Sequence, residues 1–212
     1  MIKLPVLKFK FPSNIKFLVL VLVCTLAFKR TSAQLLDSLS LDTLTAYTSI
    51  QEALKNPDAV VKLVLRKQHL KTFPEDIFKF KNLQYLDVSK NSIKEIPDSI
   101  GSLKNLQYLA CSKTGLEKVS KHIGELSNLK YLNLNQNDLE YLPPQIGNLE
   151  KLENLDLWSN NLSDFPNSLS NLKSLKVMDL RNILMSDEMQ NHLQKLLPNA
   201  KIHMSPSCKC KW

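Results

Sequence analysis

The sequence predicts an α/β solenoid, in which short strands recur along the chain and helical segments close its two ends. The first observation is an internal period of 23 residues, which Val60 opens and which five leucines continue: Leu83, Leu106, Leu129, Leu152 and Leu175. The second is a Leu-x-x-Leu-x-Leu spacing in each register, whose alternation is typical of a strand that buries every second side chain. The repeats cover residues 58–185, as five full copies and one degenerate copy.

The second half of each repeat is equally regular. Asn91, Asn137 and Asn160 share one column, where a side-chain amide can satisfy backbone groups as the chain leaves the strand. Stacked copies of this asparagine should form a ladder. Three of the four glycines share another column, at positions 101, 124 and 147, and we expect a turn with special backbone demands there.

The whole pattern, Leu-x-x-Leu-x-Leu-x-x-Asn-x-Leu-x-x-Leu-Pro-x-x-Ile-Gly-x-Leu, resembles the leucine-rich repeat family in its 23-residue form, as in exported bacterial members. The resemblance implies a right-handed, horseshoe-shaped solenoid. A parallel β-sheet would line its concave face, and extended or 3₁₀ segments would form its convex face. It also implies a non-catalytic scaffold that binds macromolecules through the exposed strand positions.

Helical caps are predicted at both ends of the repeats. Residues 34–57 form the N-terminal cap, in which Ser49 and Glu52 have the spacing of a capping box that opens a short helix. Residues 186–204 form the C-terminal cap, where a helical pattern from Asp187 is followed by a short alternating strand. These caps would cover the open ends of the apolar core.

The first 33 residues are predicted to be a signal peptide. An unbroken apolar run over residues 17–28 follows four lysines and precedes small residues that suit cleavage after Ala33. The run is too short to span a bilayer. We therefore expect a secreted, periplasmic or cell-surface protein with no membrane span after cleavage, and an uncleaved anchor is the alternative.

The net charge of +8 does not indicate a polyanionic partner. The first 33 residues carry six basic and no acidic residues, and the last fifteen carry three basic and no acidic residues. Between them lie 19 basic and 20 acidic residues, so the body of the protein is close to neutral. Nucleic acid is therefore not predicted as a partner.

The chain is predicted not to be an enzyme, and no cofactor or metal site is predicted. Its four histidines fall in different registers of the repeat, and Cys111 occupies a buried strand column. The tail, residues 205–212, leaves several possibilities open for Cys208 and Cys210. These are a ring between the two, an intermolecular disulfide, metal binding with His203, or reduced thiols.

The candidate binding residues are those that alternate with the buried leucines on the strands. Tyr85, Tyr108 and Tyr131 follow one another on neighbouring strands about 4.8 Å apart, so they should form an aromatic ladder. Tyrosine and tryptophan are enriched at binding surfaces. The other candidates on this face are Trp158, Asp87, Asn133, Asp156, Asp179, Arg66, Lys67, Lys90, Lys113, Asn135 and Arg181. The basic candidates other than Arg181 lie in the first three repeats, whereas Asp156 and Asp179 lie in later repeats. This separation of charge would orient a partner that has an acidic and a basic end.

These positions predict a scaffold that binds another protein through its concave sheet. Recognition of a glycan or a cell-wall polymer by the tyrosine and tryptophan positions is one alternative. A structural protein of the cell envelope that assembles with copies of itself is another.

Overall fold

The computed structural model of the protein describes residues 34–207, and seven parallel strands there form one sheet, named the concave sheet below. Its strands are β1 Lys62–Val64, β2 Tyr85–Asp87, β4 Tyr108–Ala110, β6 Tyr131–Asn133, β7 Asn154–Asp156, β8 Val177–Leu180 and β9 Lys201–Met204. From β1 to β8, each residue pairs with the residue 23 positions later, as with Tyr85, Tyr108 and Tyr131. The strand register is therefore the sequence period itself, and the predicted α/β solenoid is confirmed.

A single apolar core lies behind the concave sheet. The predicted columns supply it, from Val60 and Leu63 at the first repeat to Met178 and Leu180 at the last, and these side chains are buried. Leu70, in the second half of the first repeat, is only partly buried. Since each repeat packs its leucines against those of the next, the core is continuous along the stack.

The opposite side of each repeat is a short 3₁₀ helix. The first begins at the N-terminal cap and five more follow in register: Pro57–Ala59, Glu75–Lys79, Asp98–Ser102, Lys121–Glu125, Pro144–Asn148 and Asn167–Asn171. Proline precedes four of these helices, and Ser120 replaces it before the helix at Lys121–Glu125, where its hydroxyl accepts the His122 N–H. Between repeats, β3 Glu95–Ile96 and β5 Lys118–Val119 form a second, two-stranded sheet.

The glycine column has a different cause from the one we expected. A side chain is excluded at Gly124 and Gly147 because a Cβ there would collide with the carbonyl oxygen of Gln145 and of Ser168, respectively. The glycine with a positive φ among the described residues is Gly115, at 70°, which lies outside the column. The column therefore permits close contact between stacked 3₁₀ helices rather than an unusual backbone conformation.

The asparagine ladder forms as predicted. Asn137 Oδ1 accepts the backbone N–H of Thr114 and of Leu116 at 2.9 and 3.0 Å. Its Nδ2 donates to the carbonyl oxygens of Cys111 and Leu134, both at 2.8 Å. Asn91 and Asn160 make corresponding bonds, each to two carbonyl oxygens that are 23 residues apart in the sequence, so each asparagine joins two adjacent turns.

Both ends of the stack carry helices. The N-terminal cap contains α1 Ser38–Thr43 and α2 Ile50–Ala53, and the Ser49 hydroxyl caps α2 as the sequence predicts. The C-terminal cap contains α3 Asp187–Leu196, which is followed by β9. Helix α1 was not predicted, because it is one short turn without a periodic apolar pattern.

Two predictions fall outside the described residues. These are the signal peptide, with its cleavage after Ala33, and the pairing of Cys208 and Cys210. Within residues 34–207, none of the helices has the length and apolar content required to cross a bilayer.

Candidate functional site

The predicted tyrosine ladder is present on the concave sheet. The ring centroids of Tyr85 and Tyr108 lie 4.0 Å apart and those of Tyr108 and Tyr131 lie 4.6 Å apart, with 3° between the ring planes in both pairs. The Lys62 ammonium lies 4.7 Å from the centroid of Tyr85 and closes the first end of the stack. Burial raises the pKa of all three phenols, so they remain neutral donors and acceptors at ordinary pH.

The stacking determines which parts of the rings a partner can reach. Both faces of Tyr85 are covered, by Lys62 and Tyr108, and both faces of Tyr108 are covered by its two neighbours. All three residues are nevertheless partly exposed. Tyr85 and Tyr108 therefore offer ring edges and hydroxyl groups to a partner, rather than flat aromatic faces.

The second column of candidates also has a structural function that sequence reasoning missed. The side-chain oxygens of Asp87, Asn133, Asp156 and Asp179 each accept the backbone N–H two residues later, at 2.9 to 3.1 Å. Side chains of this kind form a local turn where each strand ends. The recurrence of Asp or Asn at 23-residue spacing is the signal that could have revealed it.

Asp87 differs from the exposure expected for its column. It is 2% exposed, and its carboxylate accepts a hydrogen bond from the Arg66 guanidinium at 2.8 Å. Ala110, the neighbouring residue in the column, is also buried. Asp87 is therefore held beneath the surface by Arg66, and the reachable group at this position is the arginine.

Asp156 and Asp179 lie side by side on β7 and β8 but ionise differently. Burial raises the pKa of Asp156, although its Oδ2 accepts a hydrogen bond from Asn135 at 2.6 Å. Burial acts in the same sense at Asp179, but the Arg181 guanidinium, 2.6 Å from its carboxylate, outweighs it and lowers the pKa. Asp156 is thus the carboxylate of this pair without a bound cation.

A row of lysines follows the strands of the first three repeats. Lys67, Lys90 and Lys113 are exposed and have left-handed backbones, with φ of 58°, 60° and 55°. Within residues 34–207, no acidic side chain pairs with these three ammonium groups. Because Arg66 and Arg181 are each neutralised by an aspartate, the expected charge polarity reduces to this lysine row at one end and Asp156 at the other.

Trp158, Asn133 and Asn135 are partly exposed on the same face, so the structure brings these candidates together with the ladder. Trp158 lies two residues beyond β7 and does not continue the tyrosine column. Cys111 is fully buried in the core and burial raises the pKa of its thiol, so it remains a neutral hydrophobe. Over residues 34–207, His, Cys, Asp and Glu side chains form no group of three or more able to hold a metal ion.

A groove that sequence reasoning missed lies at the entry side of the strands, between α1 and the ladder. Its volume is about 370 Å³. Ser38 and Asp42 of α1 form one wall, and the ladder and Gln107 lie opposite. Leu36 anchors this wall, since its N–H donates to Gln84 Oε1 at 2.8 Å and its carbonyl oxygen accepts from Gln107 Nε2 at 2.9 Å.

Comparison with protein-family models matches two descriptions, a leucine rich repeat over residues 58–116 and a leucine-rich repeat region over residues 111–205. A comparison of the sequence with curated proteins returns no match.

Solved structures give further matches. A leucine-rich repeat protein of Leptospira interrogans is 30% identical with a TM-score of 0.63, and the match covers 78% of this chain and 49% of that one. The leucine-rich repeat ectodomain of an Arabidopsis thaliana membrane receptor kinase, solved in complex with Casparian strip integrity factor 2, is 28% identical with a TM-score of 0.56. That match covers 72% of this chain and 19% of that one.

Internalin C2 of Listeria monocytogenes has the same fold, with a TM-score of 0.57 and 24% identity, over 72% of this chain and 64% of that one. The chain therefore spans about half of the Leptospira protein and less than two thirds of the other two. The 23-residue strand register, the asparagine ladder and both family models agree that this chain belongs to the leucine-rich repeat family.

Proposed function

We propose that this protein is an exported, non-catalytic scaffold that binds another protein through its concave sheet. The observation that carries the proposal is the ladder of three half-buried tyrosines, which has polar and charged columns beside it. A surface that combines aromatic side chains with hydrogen-bonding groups is typical of protein interfaces. Export rests on the sequence of residues 1–33 alone.

The stacking of the ladder favours a protein over a glycan. A sugar that stacks on an aromatic ring needs an uncovered ring face, and both faces of Tyr85 and Tyr108 are already covered, which leaves Tyr131 and Trp158 for such stacking. A protein can instead use the ring edges and the hydroxyl groups, which accept and donate hydrogen bonds. The receptor ectodomain that resembles this chain was solved with a bound protein factor, which supports the same choice.

The proposal is tested by mutation of the ladder after capture of the partner. A photo-reactive amino acid placed at Tyr131 should cross-link to the partner in the native extract, whereas the same group at Tyr141, which is exposed and lies outside the concave sheet, should not. For the partner identified in this way, Tyr108→Ala combined with Tyr131→Ala should weaken binding about tenfold or more, measured by calorimetry.

The matched control is Tyr141→Ala, which removes an exposed tyrosine away from the sheet and should leave the affinity unchanged. The double variant must retain its circular dichroism spectrum, since the core columns are untouched. An unchanged affinity in the double variant would contradict the proposal. If the apparent molecular mass of the purified protein rises with its concentration in sizing experiments, and no partner is cross-linked, the self-assembling envelope protein is favoured instead.

A further inference from the structure

Gln107, which lines the groove between α1 and the tyrosine ladder, has a buried side-chain acceptor without a partner within residues 34–207. Gln107 is 2% exposed, and its Nε2 donates to Leu36 O and Gln84 Oε1, both at 2.9 Å. No donor within residues 34–207 reaches its Oε1. A buried carbonyl oxygen without a hydrogen bond is destabilising, so a bound group that donates to it would recover that loss.

The two walls of the groove carry opposite charges that are free to pair with a ligand. Asp42 lies on the α1 wall beside the start of the ladder, where its charge acts on Tyr85. Lys130 lies opposite, one residue before Tyr131. Within the described part of the chain, neither side chain has an ion-pair partner, whereas the nearby Glu153 is already paired with Lys176.

The length of the groove suits a short extended chain. From Tyr85 to Asn154 it crosses four adjacent strands, and three strand spacings amount to about 14 Å. An extended peptide rises about 3.3 Å per residue, so four or five residues would fill this distance. Tyr85, on which the charge of Asp42 acts, and Tyr131, which follows Lys130, are two strand spacings apart, which is about three residues of peptide.

We propose that this groove binds an extended peptide segment, which carries a basic side chain toward Asp42 and an acidic side chain toward Lys130. One backbone N–H of the segment donates to Gln107 Oε1. This site rests on the proposed protein-binding function and locates it at the strand-entry side of the ladder. The segment belongs to the partner protein, and its two charges fix its direction along the sheet.

A random dodecapeptide library displayed on phage and panned against the purified protein tests the proposal. Selected peptides should carry a basic and an acidic residue two to four positions apart. Ser38→Trp, which fills the groove from an exposed position on α1, should weaken their binding about tenfold or more. Leu39→Trp is the matched control on the same helix, because Leu39 is 75% exposed and lies outside the groove.

Two further measurements address the charges and the hydrogen bond. Asp42→Lys combined with Lys130→Glu should select peptides in which the order of the two charges is reversed. In a selected peptide, N-methylation of one backbone nitrogen should lower the affinity about tenfold, and Gln107→Met should abolish that difference.

The proposal is overturned if the library yields no binders, or if the selected peptides bind the Ser38→Trp variant as tightly as the unmodified protein. A further result separates failure of the groove proposal from failure of the proposed protein-binding function. If the cross-linked partner loses affinity with Trp158→Ala, at a residue just beyond β7 and outside the groove, but not with Ser38→Trp, the concave side still binds protein and the groove does not.

Discussion

At the scale of single residues, the second column of the concave sheet serves both the turns and the surface. Asn133 and Asp156 each accept the backbone N–H two residues later, and that bond holds the turn at which the strand ends. Replacement by alanine would remove the turn bond together with the surface group. Exchange of aspartate for asparagine changes the charge at the surface and keeps the turn bond, because Asn133 shows that an amide supports the same turn.

Asp156→Asn should stabilise the protein at neutral pH, with the Asn135 amide turned so that its oxygen accepts from the new Asn side chain. Burial raises the pKa of Asp156 in the folded state, so the folded state binds this proton more tightly and stability falls as the pH rises through the pKa. Removal of the charge should raise the free energy of unfolding by no more than about 1 kcal/mol, given solvent screening. Urea unfolding at pH 7 and near pH 4 measures it, and the gain should shrink at the lower pH.

Asp179→Asn should have the opposite effect on stability to Asp156→Asn. Arg181 lowers the pKa of Asp179, so this carboxylate contributes stability above the ordinary aspartate pKa, and that stability is lost as the pH falls through the folded value. The variant should therefore be less stable than the unmodified protein at pH 7. A gain in stability for both variants would show that general charge reduction, rather than the individual environments, determines the effect.

The sequence predicted most residues whose position follows from the period alone. The leucine columns, the asparagine ladder and the stacked tyrosines follow from 23-residue spacing and strand alternation. Asp87 does not, because its burial depends on the guanidinium of Arg66 folding over it. Likewise, the orientation of the Gln107 amide depends on Leu36, 71 residues earlier in the sequence, whose carbonyl oxygen binds Nε2 while Oε1 has no partner within residues 34–207.

At the scale of elements, the 3₁₀ helices pack so closely that some positions exclude a side chain. Gly147→Ala should lower the free energy of unfolding by about 2 kcal/mol, because its Cβ would collide with the carbonyl oxygen and Cβ of Ser168 in the next repeat. Backbone atoms of a neighbouring helix cannot move aside without displacing that repeat. Chemical denaturation, with the midpoint and slope fitted separately, measures the loss.

Gly101→Ala provides the control within the same column. An added Cβ there lies 2.8 Å from Glu125 Oε2, at the end of a flexible side chain that can move. The expected loss is smaller than at Gly147, within about 1 kcal/mol, because this side chain can move whereas a backbone carbonyl oxygen cannot. Equal losses at both positions would mean that backbone conformation, rather than contact between helices, explains the glycine column.

The helices of the caps were predictable only where local signals exist. The capping box at Ser49 and the apolar pattern from Asp187 correctly predict α2 and α3. Helix α1 is six residues long and has one buried side chain, Leu41, while its other leucine, Leu39, is 75% exposed, so no apolar period reveals it. Its place beside the ladder is held by Leu36, just before the helix, which bonds to Gln84 and Gln107, and by the Lys62 ammonium, which donates to the carbonyl oxygens of Leu41 and Asp42.

At the scale of the whole molecule, stability is distributed along one dimension. Each repeat contacts its neighbours through the core leucines, the asparagine ladder and the stacked 3₁₀ helices, so the two ends depend on their caps. The first edge of the sheet is covered where Tyr47 pairs with Leu63. At the other end, α3 and β9 complete the last repeat, and Leu193 of α3 is fully buried against the core.

Leu193→Ala should therefore open the C-terminal end before the rest of the molecule. The loss of a fully buried leucine costs about 3 kcal/mol, through lost transfer energy and the cavity left behind. Because the coupling between repeats is local, hydrogen exchange should accelerate most in β8 and β9 and least in β2 and β4. Leu184→Ala, at a leucine that is 74% exposed next to the same cap, is the matched control and should change neither stability nor exchange. Uniform acceleration across all repeats would instead mean that the stack unfolds as a single cooperative unit.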